Sequence, residues 1–188
     1  MSVIDPVAAV PILKAIHREF RSAALNSKYY GYRLDRYQLA NKILEIVIAL
    51  GATTGTGIAG FAIWKNGAGT TAWGIISGAS IVLAAVKPII ALPKQIERYS
   101  KLASSYATIF ETYRVMEQDF ESTGLTTEQA GQFNKLRAEV ATLAADDDRN
   151  PNRKVVKRFE DEVNKEIPAS SLWMPTLPAP PPAPQVNA

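Results

Sequence analysis

Few side chains in this sequence carry reactive chemistry, and their spacing narrows the choice further. Cysteine is absent and histidine occurs once, at His17. Disulfides, thiol nucleophiles and His-based metal clusters are thereby excluded. Asp146, Asp147 and Asp148 form an acidic triplet of the kind that attracts divalent cations. No EF-hand spacing or supporting ligand accompanies it, so a solvated turn is the expected reading and no metal is assigned. The run from Gly51 to Gly60 is glycine-rich, but it lies in an apolar stretch and has neither the lysine nor the strand of a phosphate loop. No nucleophile–base pair stands out. The expectation is a protein that is not an enzyme and has no cofactor. Two ionisable residues remain inside the apolar runs, Glu45 and Lys87. They lie at similar distances from the chain reversal between the runs, about three residues apart, or about 4.5 Å of helix. An ion pair within a membrane is one reading, and ordinary snorkelling of each charge to the headgroups is the other.

The elements that must position these residues are two apolar runs. Ile43 to Trp64 contains one charge, Glu45, and as a helix is about 33 Å long. Residues 65–70 make a short break, and residues 71–93 are again apolar apart from Lys87. A bilayer core is about 30 Å thick. The pattern predicts a transmembrane hairpin: span one over 43–64, an outer turn over 65–70, span two over 71–93. A pair of buried helices in a soluble bundle is the competing reading. Basic residues cluster before the first run (Lys14, Arg18, Arg21, Lys28, Arg33, Arg36, Lys42) and after the second (Lys94, Arg98, Lys101), with Lys65 alone in the turn. Basic flanks stay on the cytoplasmic side. The expected location is the inner membrane, multi-pass, with both termini cytoplasmic. Trp64 and Trp73 would mark the outer interface.

Within the runs, small residues repeat every four positions. Gly51, Gly55 and Ala59 form one row, and Gly74 and Gly78 another. Such rows let helix backbones approach closely. They fit packing of the two arms, and a further small face leaves room for a second protomer, so a homo-oligomer is expected. Thr53, Thr54 and Thr56 line a polar pathway or bond back to their own helix. Pro88 and Pro93 are candidate hinges, because each removes a helical hydrogen bond.

Outside the runs the chain reads as helical. Residues 1–11 are an irregular cap with Pro6 and Pro11. From Leu13 a spacing of three and four passes through Ile16, Phe20, Ala23, Ser27, Tyr30, Leu34, Tyr37, Asn41 and Leu44 to Gly51, predicting one long helix through 1–42 into the first run. After residue 94, Tyr99, Ala103, Tyr106, Phe110, Tyr113, Glu117 and Phe120 repeat as a heptad. Pairing it antiparallel to the first helix sets Tyr37 beside Tyr99 and makes a cytoplasmic stem. The tyrosines look like a stacking site for a ligand, but core packing explains them better. Gly124 ends this helix and Thr126 or Thr127 caps the next, whose apolar face is Phe133, Leu136, Val140 and Leu143. A last charged helix over 152–167, with Val156, Phe159 and Val163 on one face, completes the cytoplasmic helices of 94–167. Residues 168–188 form a disordered Pro-rich tail that is solvated or binds a partner domain. The fold class is therefore all-α. The net charge of +3 gives no argument for nucleic acid, and a composition 47% hydrophobic with mean hydropathy −0.05 excludes a polytopic transporter.

The stretches Tyr29–Leu34 (Tyr-Tyr-Gly-Tyr-Arg-Leu), Asn41–Glu45, the small-residue first run, Trp64 and residues 87–102 together resemble the SLATT family of bacteria, over residues 10–165. These are two-transmembrane effector domains associated with nucleotide-second-messenger conflict systems. The resemblance implies a membrane effector in anti-phage defence that oligomerises and permeabilises or depolarises the inner membrane. The lipid bilayer is its implied target. Family members are linked to a sensor; no fused sensor domain is read here, so a separately encoded nucleotide-signal sensor or synthase is the implied partner. The alternative is a non-enzymatic membrane anchor or scaffold that recruits a cytoplasmic partner through its stem and tail.

Overall fold

The computed structural model of the chain describes residues 2–53, 78–79, 82 and 91–176. Among the described residues the protein is all-helical, with one isolated backbone bridge. The helices are α1 (Pro6–Thr53), α2 (Leu92–Thr123), α3 (Thr127–Ala144) and α4 (Arg153–Glu166), followed by a 3-10 turn at Ala169–Ser171. The chain divides into two compact units, Met1–Tyr29 with Ser104–Ala188, and Tyr30–Ala103.

In the first unit, the N-terminal part of α1 packs antiparallel to the C-terminal part of α2. Leu13, Ile16, Phe20 and Ala23 are buried, as their spacing predicts, and Phe20 stacks on Phe110 with ring centroids 5.0 Å apart. His17 meets Glu117 at 2.8 Å. α1 starts earlier than the two prolines suggest. Asp5 caps it, its carboxylate accepting from the Ala8 amide at 3.3 Å. Pro6 takes the first helical position, where a missing N–H is harmless. Pro11 lies inside the helix. The residue it would have bonded four positions back is Val7, which is exposed, so the lost helical bond falls on the solvent side of the helix. The irregular cap therefore shrinks to residues 2–5. That strap is itself held: the Ile4 amide donates to the Leu125 carbonyl at 2.8 Å and the Thr127 amide to the Ser2 carbonyl at 3.1 Å.

α2 buries a wider face than one heptad row. Tyr106, Ile109, Tyr113, Met116 and Phe120 are all within a few per cent of full burial, while Phe110 and Glu117 are half-buried. The tyrosine row is shared with the predicted register, and the companion row is Leu102, Ile109 and Met116. Gly124 closes the helix at φ +68, its amide donating to the Phe120 carbonyl at 3.0 Å. A left-handed residue there favours glycine. Thr126 then caps α3. Its hydroxyl accepts from the Gln129 amide and the Gln129 side chain accepts from the Thr126 amide, a reciprocal capping box. Phe133 and Leu143 are buried on α3, and Phe159 and Val163 on α4, whose cap is Asn152.

In the second unit, Tyr37 stacks on Tyr99 at 5.1 Å, the pair that the antiparallel register predicts. Tyr30 stacks on the same ring at 6.0 Å.

The expected location needs correction. No helix of the described residues is long and apolar enough to cross a membrane. α1 has the length, but its last stretch, residues 36–53, still carries Arg36, Lys42 and Glu45. α2 opens with Lys94, Glu97, Arg98 and Lys101. The described helices thus do not support a multi-pass inner-membrane protein with cytoplasmic termini. The greater part of both apolar runs, residues 54–77, 80–81 and 83–90, lies outside the described residues, and so do residues 177–188 of the tail.

Candidate functional site

The residues singled out by their spacing fall into two groups. Gly55, Ala59, Gly74, Lys87 and Pro88 lie outside the described residues, and with them the Glu45–Lys87 pair and the complete glycine rows. Gly51 is in the last turn of α1. Gly78 is helical, and a Cβ built on it meets nothing within 4 Å. Glu45 stands on the exposed side of α1, where its carboxylate accepts from the Asn41 side-chain amide at 2.9 Å. Pro93 is the second residue of α2 and is exposed. Proline is well tolerated in a first helical turn, where its missing N–H costs least; the residues just before Ala91, against which a hinge would be judged, lie outside the described residues. The unusual backbone is one step earlier, at Ala91, with φ 49. Its carbonyl accepts from the Gln95 amide at 3.2 Å and begins the helical ladder.

Three constellations are brought together. In the second unit, Arg33 donates through Nη2 to the Tyr99 hydroxyl at 2.9 Å and to the Tyr37 hydroxyl at 3.4 Å. Its guanidinium carbon lies 5.1 Å from the Tyr99 ring centroid, and that of Arg98 lies 5.4 Å from the same ring. Tyr99 is 2% exposed. Tyr99 is therefore a packed, arginine-clamped ring of the seam and not an open platform for a ligand to stack on.

In the first unit, the acidic triplet lies in a turn with Asp146 exposed, as its sequence suggests, but Asp147 and Asp148 are half-buried against tyrosines. The Tyr106 hydroxyl donates to both carboxylate oxygens of Asp147 at 3.0 Å, and the Tyr29 hydroxyl donates to Asp148 at 3.0 Å. The Asn152 amide donates in turn to the Tyr29 oxygen at 3.4 Å. Asp147 and Asp148 thus latch the α3–α4 turn onto α1 and α2. Burial, and next the neighbouring Asp147 charge, push the Tyr106 hydroxyl well above the usual phenol range. Tyr113, two turns further along, is pushed up to about 12 by burial first and then by the Glu19 charge, with Arg137 opposing. Its hydroxyl has no hydrogen-bond partner. No group of three or more carboxylate or imidazole side chains among the described residues could hold a metal ion. Sequence alone signalled neither latch, because a Tyr–Asp pair so many residues apart has no local pattern.

The third constellation is a surface. Leu39, Ile43 and Ile46 of α1 are each about half exposed (52%, 53% and 51%). With about 100° of rotation per residue, they share one face, roughly opposite the buried Leu44. The outward row on this part of α1 is therefore an aliphatic one.

Comparison with protein-family models, with curated proteins and with solved structures finds no significant match to this chain.

Proposed function

We propose that this protein is a non-enzymatic scaffold that self-associates through the C-terminal part of α1 and recruits a protein partner through its helical body and Pro-rich tail. The observation that carries this reading is the exposed row Leu39, Ile43 and Ile46. Fully burying one such side chain is worth about 1.5–3 kcal/mol. Half of that remains for each, or about 3 kcal/mol for the three together. Association costs at least about 4 kcal/mol in lost freedom, so the row needs continuation to make a stable contact. The sequence supplies one: the chain stays apolar from Ile46 to Trp64. Gly55, Ala59 and Gly74 are the positions proposed to allow close packing in that continuation. Two differently tagged copies expressed together should co-purify, and Ile43→Glu with Ile46→Glu should separate them. Co-purification that survives both substitutions, or is absent in the wild type, would remove the basis of the reading. Deletion of 170–188 should leave self-association intact and release the partner.

A second reading is favoured by the two apolar runs and by the resemblance to SLATT effectors. In it the assembled chains breach a lipid bilayer in a bacterial conflict system, triggered by a separately encoded sensor or synthase of a nucleotide signal. Induced expression with a potential-sensitive dye separates the two. Depolarisation by the wild type and not by Gly55→Leu supports the effector. Co-purification without depolarisation, also when the neighbouring gene products and phage are present, supports the scaffold.

A further inference from the structure

A groove of about 670 Å³ opens between α1, α4 and the 3-10 turn, all within the first unit. This is the size of a small-molecule site. One wall is cationic. Lys14, Arg18 and Arg21 follow one another at spacings of four and three on α1. Glu160 is the acid that faces them from α4. The other basic residue of this part of α1, Lys28, is already matched by Glu166 at 2.8 Å and Glu162 at 3.8 Å. Lys14 and Arg21 form no ion pair among the described residues, and Arg18 meets only its neighbour Glu19, at 3.2 Å and largely in solvent. The groove therefore holds cations in excess. The remaining wall is apolar: Leu25, Val163 and Leu172.

His17, the single histidine of the chain, lines the same groove. It is 95% buried, at 5% exposure. Its Nδ1 meets the Glu117 carboxylate, which can only accept, so Nδ1 carries a proton. Nε2 has no hydrogen-bond partner. The Nε of Arg21, whose Nη2 donates to the Asn164 side chain, has none either. Both atoms are closed off from solvent, so they belong to the packing beneath the groove and are not its ligand contacts. The charge the groove offers is that of the exposed Lys14 and Arg18 and the half-buried Arg21. A phosphate group, whose oxygens accept from such donors, matches it.

We infer that this groove binds a small phosphate monoester with an apolar body, the phosphate set among Lys14, Arg18 and Arg21 beside His17, and the body against Leu25 and Leu172. The ligand is a free small molecule. The cations and the apolar residues line one groove of small-molecule size, which suits a compact ligand carrying both parts.

The lone imidazole makes the test direct. The full chain, carrying isotope-labelled histidine, is titrated with phenyl phosphate, with phenol, with inorganic phosphate, and with phosphatidylglycerol vesicles, while the His17 ring resonances are followed. Phenyl phosphate should shift them saturably. Inorganic phosphate should do so more weakly, and phenol should not. Lys14→Gln with Arg18→Gln, two exposed positions that the fold does not need, should weaken phenyl phosphate binding by about tenfold or more. The inference is overturned if phenyl phosphate gives no saturable shift, if phenol binds equally well, if the double substitution leaves the affinity unchanged, or if only the vesicles move the resonances.

Discussion

Tyr106 and Tyr113 sit one heptad apart on α2, both at most 1% exposed, and removing their hydroxyls should move stability in opposite directions. The Tyr106 hydroxyl donates to both oxygens of Asp147 and receives a hydrogen bond from Asn26. Tyr106→Phe leaves a half-buried carboxylate and an amide without this partner. A hydrogen bond to a charged group contributes about 1.5–3 kcal/mol, and partial access of water to Asp147 puts the loss near about 2 kcal/mol. The Tyr113 hydroxyl has no partner. Tyr113→Phe deletes an orphaned buried group and keeps the ring that packs against Phe133 at 6.2 Å. It should stabilise by about 1 kcal/mol. Urea unfolding followed by circular dichroism near neutral pH reads both as shifts of the midpoint at constant slope. A spread of about 3 kcal/mol between the variants, with the wild type between them, is the expected result. Equal effects of the two substitutions, or destabilisation by Tyr113→Phe, would refute the hydrogen-bond assignment of this face.

The same tyrosines set an alkaline limit. Tyr113 ionises near 10 when unfolded and is held up to about 12 in the fold, so stability is complete below pH 10 and falls as pH rises from there toward 12. Tyr113→Phe should flatten that fall, which stability measurements at several alkaline pH values would check. Gly124→Ala should destabilise by about 1–2 kcal/mol, since φ +68 disfavours a side chain and the new Cβ would lie 3.3 Å from Val3; a melt within error of wild type would contradict it. Thr126→Ala removes half of the capping box of α3 and should cost about 1 kcal/mol by the same urea assay.

The parts of the fold that repeat locally were readable from sequence, and the parts that pair distant residues were not. Leu13, Ile16, Phe20 and Ala23 announce their buried face by spacing alone. Thr126 and Gln129 announce a capping box in the same way. The heptad on α2 was harder, because Tyr99, Tyr106, Tyr113 and Phe120 belong equally to two flanking rows. Burial favours Leu102, Ile109 and Met116 over Ala103, Phe110 and Glu117, since α2 packs on more than one neighbour. Pro6 and Pro11 read as a break, yet the Asp5 cap and the exposure of Val7 let a helix run through both. The acidic triplet read as solvent-facing because nothing in its neighbourhood names Tyr29 or Tyr106 as partners. Of the candidate packing positions only Gly51 and Gly78 fall among the described helical residues, and the outward face that the structure does show on α1 is Leu39, Ile43 and Ile46, a row that no small-residue spacing announces.

That outward face carries the proposed function, and its most direct test is the mass of the full chain by sedimentation velocity across a range of concentrations. The scaffold reading predicts a species larger than the monomer that dissociates on dilution. It also predicts that Ile43→Glu with Ile46→Glu leaves only monomer while helix content is unchanged. A wild type that stays monomeric throughout, or an assembly that both substitutions leave intact, would contradict it.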